Sequence, residues 1–261
     1  MSWAGGDVTE VARCVLAPNP GPMTLDGTNT WVLSAPGAAR AVVVDPGPAD
    51  PGHLAGVVRA ARERDARIAL VLLTHGHLDH SESARAFAGE LGVGVRALDP
   101  AQRLGDEGLA GGDAVELDGL RLEVVATPGH TGDSLSFVLP GSGALLTGDT
   151  VLGRGTTVVA HPDGRLSDYL DSLRRLEELI AERGLSDLLP GHGPALRDPL
   201  PVVQGYLRHR AERLEQVRAA VADGARTARE VVERVYADVP RELWPAAELS
   251  VRAQLDHLES G

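Results

Sequence analysis

The feature that most restricts the possible folds is an apolar run that leads directly into a cluster of polar side chains. Residues 70–73 read Leu-Val-Leu-Leu, and four side chains able to bind metal follow Thr74: His75, His77, Asp79 and His80. Residues two apart in an extended chain point the same way, so His75 and His77 can bind one metal together. Asp79 and His80 lie where a helix is predicted to begin, and their side chains can turn toward a second metal ion. The segment predicts a buried strand with a metal centre at its end.

Three later side chains of ligand type share one local pattern. His130, Asp149 and His192 each follow an apolar run, in a turn that contains glycine. Such turns lie at the carboxyl ends of strands, where loops gather and ligands bind. One histidine or aspartate in a turn is usually a cap or a surface residue, but seven in this order indicate a shared centre. Because Cys14 is the only cysteine, the ligand atoms are nitrogen and oxygen, which suit zinc, iron or manganese.

The first two thirds of the chain alternate short β-rich runs with helical patterns, which predicts an α/β architecture. Strands are predicted at residues 30–34, 41–45, 68–74, 121–126, 134–139 and 143–147. Apolar residues at helical spacing predict helices around residues 54–61 and 84–91. A further helix is predicted from Ser167, as its N-cap, to Gly184, as its C-terminal stop.

From about Pro199 the strand signals disappear, so a catalytic domain (1–199) and a small all-α domain (200–261) are predicted. Thr227 and Glu230 form a capping-box pattern there. Three short helices are expected, and their spacing resembles a helix-turn-helix unit. A helical cap on the main domain is favoured over a nucleic-acid reader. One apolar stripe is predicted along the first of these helices, formed by Leu207, Leu214, Val217 and Val221.

The order His-x-His-x-Asp-His, followed by His, Asp and His in glycine turns, resembles the metallo-β-lactamase-fold superfamily of hydrolases. Other segments are similar to the lactamase-B-like subfamily, whose members carry a C-terminal winged-helix-like domain. The resemblance implies a four-layer αβ/βα sandwich with the metals at one edge between two sheets, and a small C-terminal all-α, winged-helix-like domain. The segments that carry the subfamily resemblance are residues 19–30, 44–47, 153–156 and 169–173 and the helical tail.

The resemblance also implies a role for each ligand. His75, His77 and His130 would hold the first of two divalent metal ions, and Asp149 would bridge both. Zinc is expected, with iron and manganese as alternatives. Two such cations can share a water and lower its pKa from ~15.7 to near 7, so hydroxide between them would be the nucleophile. The second ion would be held by Asp79, His80 and His192.

Two aspartates have further expected roles. Asp79 is predicted to be catalytic, because it can take a proton from the attacking water. Asp45, at the end of its strand, is predicted to orient a ligand histidine; the simpler alternative is a turn residue before Pro46.

Composition limits the class of substrate. The net charge is −12, every basic residue is arginine, and the chain has only 3 Trp, 3 Tyr and 2 Phe. Single-stranded RNA requires a basic groove and stacking aromatics, so a thioester or ester, free or on a carrier, is favoured over single-stranded RNA as the substrate of an endoribonuclease. Antibiotic hydrolysis is disfavoured, because the best-known zinc β-lactamases have a cysteine in the second site and lack the bridging aspartate.

A hypothesis of another class stays open, in which the tail binds nucleic acid or a protein partner and the metal centre is a sensor. Its basis is an arginine-rich stretch that contains Arg208, Arg210, Arg213 and Arg218.

Two minor expectations complete the sequence analysis. The longest apolar runs are far shorter than the ~20 residues of a membrane-crossing helix, and the first residues do not form a secretory signal, so a cytoplasmic location without a membrane partner is expected. His161 is either a general acid or a surface residue, while His53, His209 and His257 are expected to be solvated.

Overall fold

Two six-stranded sheets, packed face to face, form the centre of the computed structural model, which describes residues 2–260. The first sheet has its strands in chain order: β1 (Gly6–Asp7), β2 (Ala12–Leu16), β3 (Asn29–Leu33), β4 (Arg40–Val44), β5 (Arg67–Leu72) and β6 (Gly94–Arg96). The second has the order β12-β11-β10-β9-β8-β7: β7 (Ala114–Leu117), β8 (Leu120–Ala126), β9 (Leu135–Leu139), β10 (Ala144–Gly148), β11 (Asp187–Pro190) and β12 (Leu196–Arg197).

The inner faces of the two sheets bury the main core. Trp31 and Leu33 of the first sheet meet Phe137 and Leu146 of the second in one apolar cluster. The strand β5 is parallel to both β4 and β6, and such strands need cover on both faces. The second sheet covers one face, where Leu72 packs, and helices cover the other, where Val71 and Leu73 pack, which explains why the run that ends at Leu73 is apolar throughout.

Helices cover both outer faces. On the first sheet lie α1 (Pro51–Arg62) and α3 (Ala84–Leu91), which meet it in a second apolar cluster. On the second sheet lie α4 (Leu166–Arg183) and the start of α5 (Pro199–Ala222), in a third cluster. The short α2 (Leu78–Ser81) follows β5 directly. The fold is therefore the predicted four-layer αβ/βα sandwich.

The local predictions agree with this structure at most elements. All six predicted strands are present, each within two residues of its expected bounds, and Gly184 ends α4 in the left-handed conformation (φ 61°). Ser167 as the N-cap of α4 is wrong: Arg165 occupies that position. Six strands were missed: β1, β6 and β12 have only two or three residues, too few for a period-two pattern, and β2, β7 and β11 have four or five.

The C-terminal part is helical, as predicted. It contains α5, α6 (Ala228–Val235) and α7 (Trp244–Ser260), and the Thr227–Glu230 capping box is formed. The expectation of three short helices is wrong for α5, which has 24 residues. The predicted stripe on α5 is also partly wrong, because Val221 is exposed.

The long helix α5 contributes to two cores. Val203 and Tyr206 pack on the second sheet with α4, whereas Val217 and Ala220 pack with α6 and α7 in a small separate core. The boundary at 199/200 stays a prediction. Within residues 2–260, no helix has both the length and the apolar character needed to cross a membrane.

Candidate metal centre

Three of the predicted ligands converge in a first cluster. His75 follows β5, His77 precedes α2, and His130 lies in the turn between β8 and β9. The ligand atoms of all three lie within 4.8 Å of one another, and His130 Nε2 is 3.1 Å from His77 Nδ1. His75 and His130 are buried, whereas His77 is exposed. The cluster is therefore closed on one side and open to solvent on the other.

A second cluster lies beside the first. His80 Nε2 is 3.2 Å from His192 Nε2 and 3.4 Å from Asp79 Oδ2, and His192 Nε2 is 3.1 Å from the same carboxylate oxygen. Both histidines are buried, while 31% of the Asp79 side chain is exposed. Asp79 thus lies on the open side of this cluster.

Asp149, which follows β10, lies between the two clusters. Its Oδ2 is 3.7 Å from His130 Nε2 in the first and 3.3 Å from His192 Nε2 in the second. Its Oδ1 is 3.5 Å from His80 Nε2. The structure therefore brings all seven predicted ligand residues into one site, at the edge where both sheets end.

The hydrogen bonds of the four buried histidines leave the same ring atom, Nε2, facing the other predicted ligands. In each ring Nδ1 has a partner: Thr74 Oγ1 for His75, Asp45 Oδ2 for His80, the carbonyl oxygen of Val158 for His130, and that of Gly27 for His192. A ring whose Nδ1–H donates keeps its lone pair on Nε2, where a metal can bind.

The atoms at the centre of the two clusters suit divalent cations. His75 Nε2 and Asp149 Oδ1 are buried, and neither has a hydrogen-bond partner among the described residues. Two imidazole nitrogens also face each other at 3.2 Å in the second cluster, where a cation would satisfy both. Imidazole and carboxylate ligands suit zinc and other divalent ions.

Asp45 contacts residues of the candidate metal centre. It is fully buried and adopts a left-handed backbone conformation (φ 52°) that is unusual for a residue other than glycine. Its carboxylate accepts hydrogen bonds from Thr74 N (2.8 Å) and Thr74 Oγ1 (2.6 Å), and it lies 2.9 Å from His80 Nδ1. Asp45 thus contacts one predicted ligand histidine, His80, directly and a second, His75, through Thr74.

Sequence reasoning missed several contacts to the ligands. Thr28 Oγ1 donates a hydrogen bond to Asp79 Oδ2 (3.2 Å), and Thr74 links Asp45 to His75. Thr74 carries a usable signal, since it is a polar residue at the end of an apolar strand. Thr28 lies within the segment that resembled the subfamily, but no local pattern pairs it with Asp79.

The expectation for His53 is wrong. Its side chain is buried, with Nε2 2.9 Å from Thr30 Oγ1 and 3.1 Å from the carbonyl oxygen of Pro46. The reason is that α1 turns this residue toward the first sheet, beneath the Asp45–Pro46 segment. His209 is half-buried and His161 is partly exposed.

The pKa values of the histidines shift in opposite directions in the two clusters. Burial lowers the pKa of His75 and His130 below its usual value. Burial acts in the same direction on His80 and His192, but nearby carboxylates together outweigh it. Asp149 and Asp45 raise the pKa of His80 well above normal, and Asp149 and Asp79 raise that of His192 to about 9. For Asp79, burial raises the pKa, and the hydrogen bond with His192 and the charge of His80 more than offset it, to about 2.

Metal binding is therefore expected to release protons from the second cluster. At neutral pH the metal-free protein holds protons on His80 and His192, because their pKa values are raised, and a metal ligand must be neutral. His75 and His130 are already neutral. The affinity for the metal should rise between about pH 7 and pH 9 as His192 loses its proton. Calorimetric titration with zinc in buffers of different ionisation enthalpy measures this release; equal heats in all buffers would contradict it.

Asp45→Asn is expected to weaken metal binding by roughly 10–100-fold, the usual effect of losing a partner that orients a ligand. Asparagine tolerates the left-handed backbone, so the change removes the charge and leaves the turn in place. Competition with a chromophoric chelator measures the affinity. The matched control is Asp65→Asn, since Asp65 is an exposed aspartate that also has a positive φ of 56°. Equal affinities in the two variants would show that Asp45 orients no ligand.

Comparisons with known proteins agree with this geometry. Residues 23–192 match the metallo-beta-lactamase superfamily, and residues 227–260 match the beta-lactamase associated winged helix domain. The chain is 33% identical to the beta-lactamase-like protein 2 homolog of Caenorhabditis elegans, over 96% of this chain and 85% of that protein. It is 34% identical to the atrochrysone carboxyl ACP thioesterase of Aspergillus fumigatus, over 88% and 74%.

A solved structure has the same fold. The crystal structure of a beta-lactamase domain protein from Burkholderia ambifaria matches with a TM-score of 0.82 at 23% sequence identity, and the match covers 100% of this chain and 89% of that one.

The two packed sheets, the outer helices and the histidine and aspartate cluster at their edge define a hydrolase with a site suited to divalent metal ions. Its C-terminal helices correspond to a winged-helix domain. The chain belongs to the metallo-beta-lactamase superfamily.

Proposed function

We propose that this protein hydrolyses a thioester or ester with two metal ions bound side by side. The observation that carries the proposal is the position of Asp149 between two three-residue clusters, at 3.3–3.7 Å from the histidine nitrogens of both. His75, His77 and His130 would hold one ion, and Asp79, His80 and His192 would hold the other. Asp149, between the two clusters, would contribute to both sites, and zinc is the metal we expect.

When bound, the two ions would supply hydroxide at neutral pH and polarise the oxygen of the bond under attack. The chain's own residues position these groups. Asp45 and Thr74 fix the rings of His80 and His75, and the carbonyl oxygens of Val158 and Gly27 fix the other two buried rings. Asp79, ionised and partly exposed, receives a proton at its carboxylate as the water attacks.

The surroundings of the site favour an acyl substrate. Leu78, between two of the proposed ligands, is 71% exposed, and Met23 on a neighbouring loop is 50% exposed. Large apolar side chains at the mouth of a polar site favour substrates with an apolar part. Two relatives are also named thioesterases: the Aspergillus fumigatus protein above and one of Emericella nidulans, 34% identical over 81% of this chain and 60% of that protein.

The arginines of α5 favour a cap over a nucleic-acid reader. Arg210 is buried, Arg213 stacks on Tyr236 with its guanidinium 4.4 Å from the ring centre, and Arg218 pairs with Glu215. Three of the four arginines of the predicted stretch are thus held by contacts within the protein, which disfavours an extended contact with a phosphate backbone. The RNA and sensor hypotheses thus have weaker support than the thioester, and a cytoplasmic location remains a prediction.

A parallel assay tests the proposal. The purified protein is analysed for bound metal and then given an acyl thioester, an aryl phosphodiester and a short single-stranded RNA. We expect metal near two ions per chain, thioester hydrolysis, and loss of that hydrolysis after chelation with recovery on adding zinc. Cleavage of the RNA without cleavage of the thioester would overturn the substrate, and activity that survives complete metal removal would overturn the mechanism.

A further inference from the structure

A pocket lies between the catalytic sandwich and the C-terminal helices. Its volume is about 220 Å³, below the roughly 300–1,000 Å³ of sites that hold a whole drug-sized ligand. Met23 and Val158 line it from the sandwich, Arg210 and Arg213 from α5, and Tyr236 and Leu243 from the segments around the last helices. It has the size for one part of a substrate.

The pocket is positively charged in an otherwise acidic protein. Arg210 and Arg213 both line it, and among its described lining residues there is no aspartate or glutamate. Arg210 is only 6% exposed, and a buried charge requires compensation. The Arg210 guanidinium donates a hydrogen bond to the carbonyl oxygen of Thr157, and its carbon lies 5.1 Å from the centre of the Tyr169 ring. These contacts supply part of the compensation.

Two nitrogen atoms at this wall remain unsatisfied. Within residues 2–260, neither Arg210 Nε nor the neighbouring His209 Nδ1 has a hydrogen-bond partner, although both atoms are buried. Unpaired buried donors are rare in proteins and usually indicate a missing partner. An anionic oxygen atom in the pocket would supply both the acceptor and the negative charge.

Two segments that line the pocket also contact residues of the candidate metal centre. Thr157 Oγ1 donates a hydrogen bond to the carbonyl oxygen of Asp149, and the carbonyl oxygen of Val158 accepts one from His130 Nδ1. On the other side, the loop that contributes Met23 continues to Thr28, which contacts Asp79. The pocket and the candidate metal centre are therefore linked through segments that contribute to both.

We propose that this pocket binds a carboxylate at the far end of the substrate's acyl group, which makes short dicarboxylic acyl thioesters the preferred substrates. The inference rests on the proposed function, since it names the acyl group that the metal centre would release. The apolar side chains Met23, Val158 and Leu243 contact the methylene chain, and Arg210 and Arg213 bind the terminal carboxylate.

Product binding and turnover test the inference separately. The metal-loaded protein is titrated calorimetrically with glutarate and with pentanoate, which have equal chain lengths and differ only in the second carboxylate. In parallel, kcat/KM is measured for glutaryl and pentanoyl thioesters of N-acetylcysteamine, which has no phosphate, and of coenzyme A. A hydrogen-bonded charge pair should favour the glutaryl compounds roughly tenfold or more in both assays.

Arg213→Gln should reduce that preference to about threefold or less, because it removes one of the two charges. Arg218→Gln is the matched control: Arg218 is on the same helix, pairs with Glu215 on the surface and does not line the pocket, so the preference should persist. Equal binding of glutarate and pentanoate, or a preference unchanged in Arg213→Gln, would overturn the inference.

The remaining outcomes separate the alternatives. A glutarate preference that Arg213→Gln abolishes, in a protein that cleaves no thioester, would support the pocket and refute the proposed function. A preference for coenzyme A over N-acetylcysteamine with both acyl groups, lost in Arg213→Gln, would assign the pocket to a phosphate of the thiol and overturn the acyl assignment. Salt-dependent binding of a trinucleotide that Arg213→Gln abolishes, without a glutarate preference, would assign it to RNA.

Discussion

Asp149→Ala is expected to lower the rate of hydrolysis by at least about 1,000-fold, the largest effect of any single substitution in this chain. The carboxylate lies between the two clusters and contacts histidines of both. Without it, His80 and His192 lose the negative charge that faces them, and the proposed ions lose the ligand that holds them side by side. The activated water depends on both ions, so most of the catalytic advantage should disappear.

Two measurements check this result. Steady-state hydrolysis gives the loss in kcat/KM, and elemental analysis gives the number of ions retained, which we expect to fall from about two to one or fewer. Asp171→Ala is the control, because Asp171 is an exposed aspartate that pairs with Arg174 away from the site. Hydrolysis by the Asp149 variant at the parent rate would mean that the activity arises elsewhere in the protein.

Gly191→Ala is expected to cost the second metal ion and roughly 100-fold in rate, although the change adds a single methyl group. That methyl carbon would lie 2.4 Å from Asp149 Oδ1 and 2.8 Å from His80 Cε1, which is closer than such atoms can approach. The His80 side chain is fully buried and the Asp149 side chain is only 11% exposed, so these two side chains themselves must move. A displacement of about 1 Å at a reacting centre can cost two orders of magnitude.

Metal content, hydrolysis and thermal unfolding distinguish this effect from misfolding. We expect the ion and the activity to be lost while the protein still unfolds cooperatively, because overpacking typically costs about 1–3 kcal/mol. Gly141→Ala is the control, since a methyl group at Gly141 meets nothing within 4 Å and the residue has no positive φ. Two retained ions and full activity in Gly191→Ala would show that the site tolerates displacement of Asp149 and His80.

The candidate ligands were accessible from the sequence because each one carries a local signal. The strand β5 is covered on both faces, so it is apolar throughout, and the polar residues that follow it stand out. His130, Asp149 and His192 stand out for the same reason after β8, β10 and β11. Gly191 belongs to the glycine turn before His192, but the local sequence does not show that Gly191 lies against Asp149.

The helical part was harder to predict. Its helices and the Thr227 capping box follow from local patterns. Its contacts do not, since Val221 is exposed although it continues an apolar stripe, and Arg210 and Arg213 turn toward the protein. The direction a helix faces depends on what packs against it, which here is the second sheet for one half of α5 and a separate core for the other.

The sequence alone determined the class of fold, six of the strands and the seven ligand-type residues, because hydrophobic period and turn chemistry act over a few neighbouring residues. The tertiary structure decided which partner orients each ligand. The contact of His192 with Gly27 spans 165 residues, and the contact of Arg210 with Thr157 spans 53. Such pairings depend on how segments far apart in the chain are brought together by the fold. No local sequence pattern encodes those contacts.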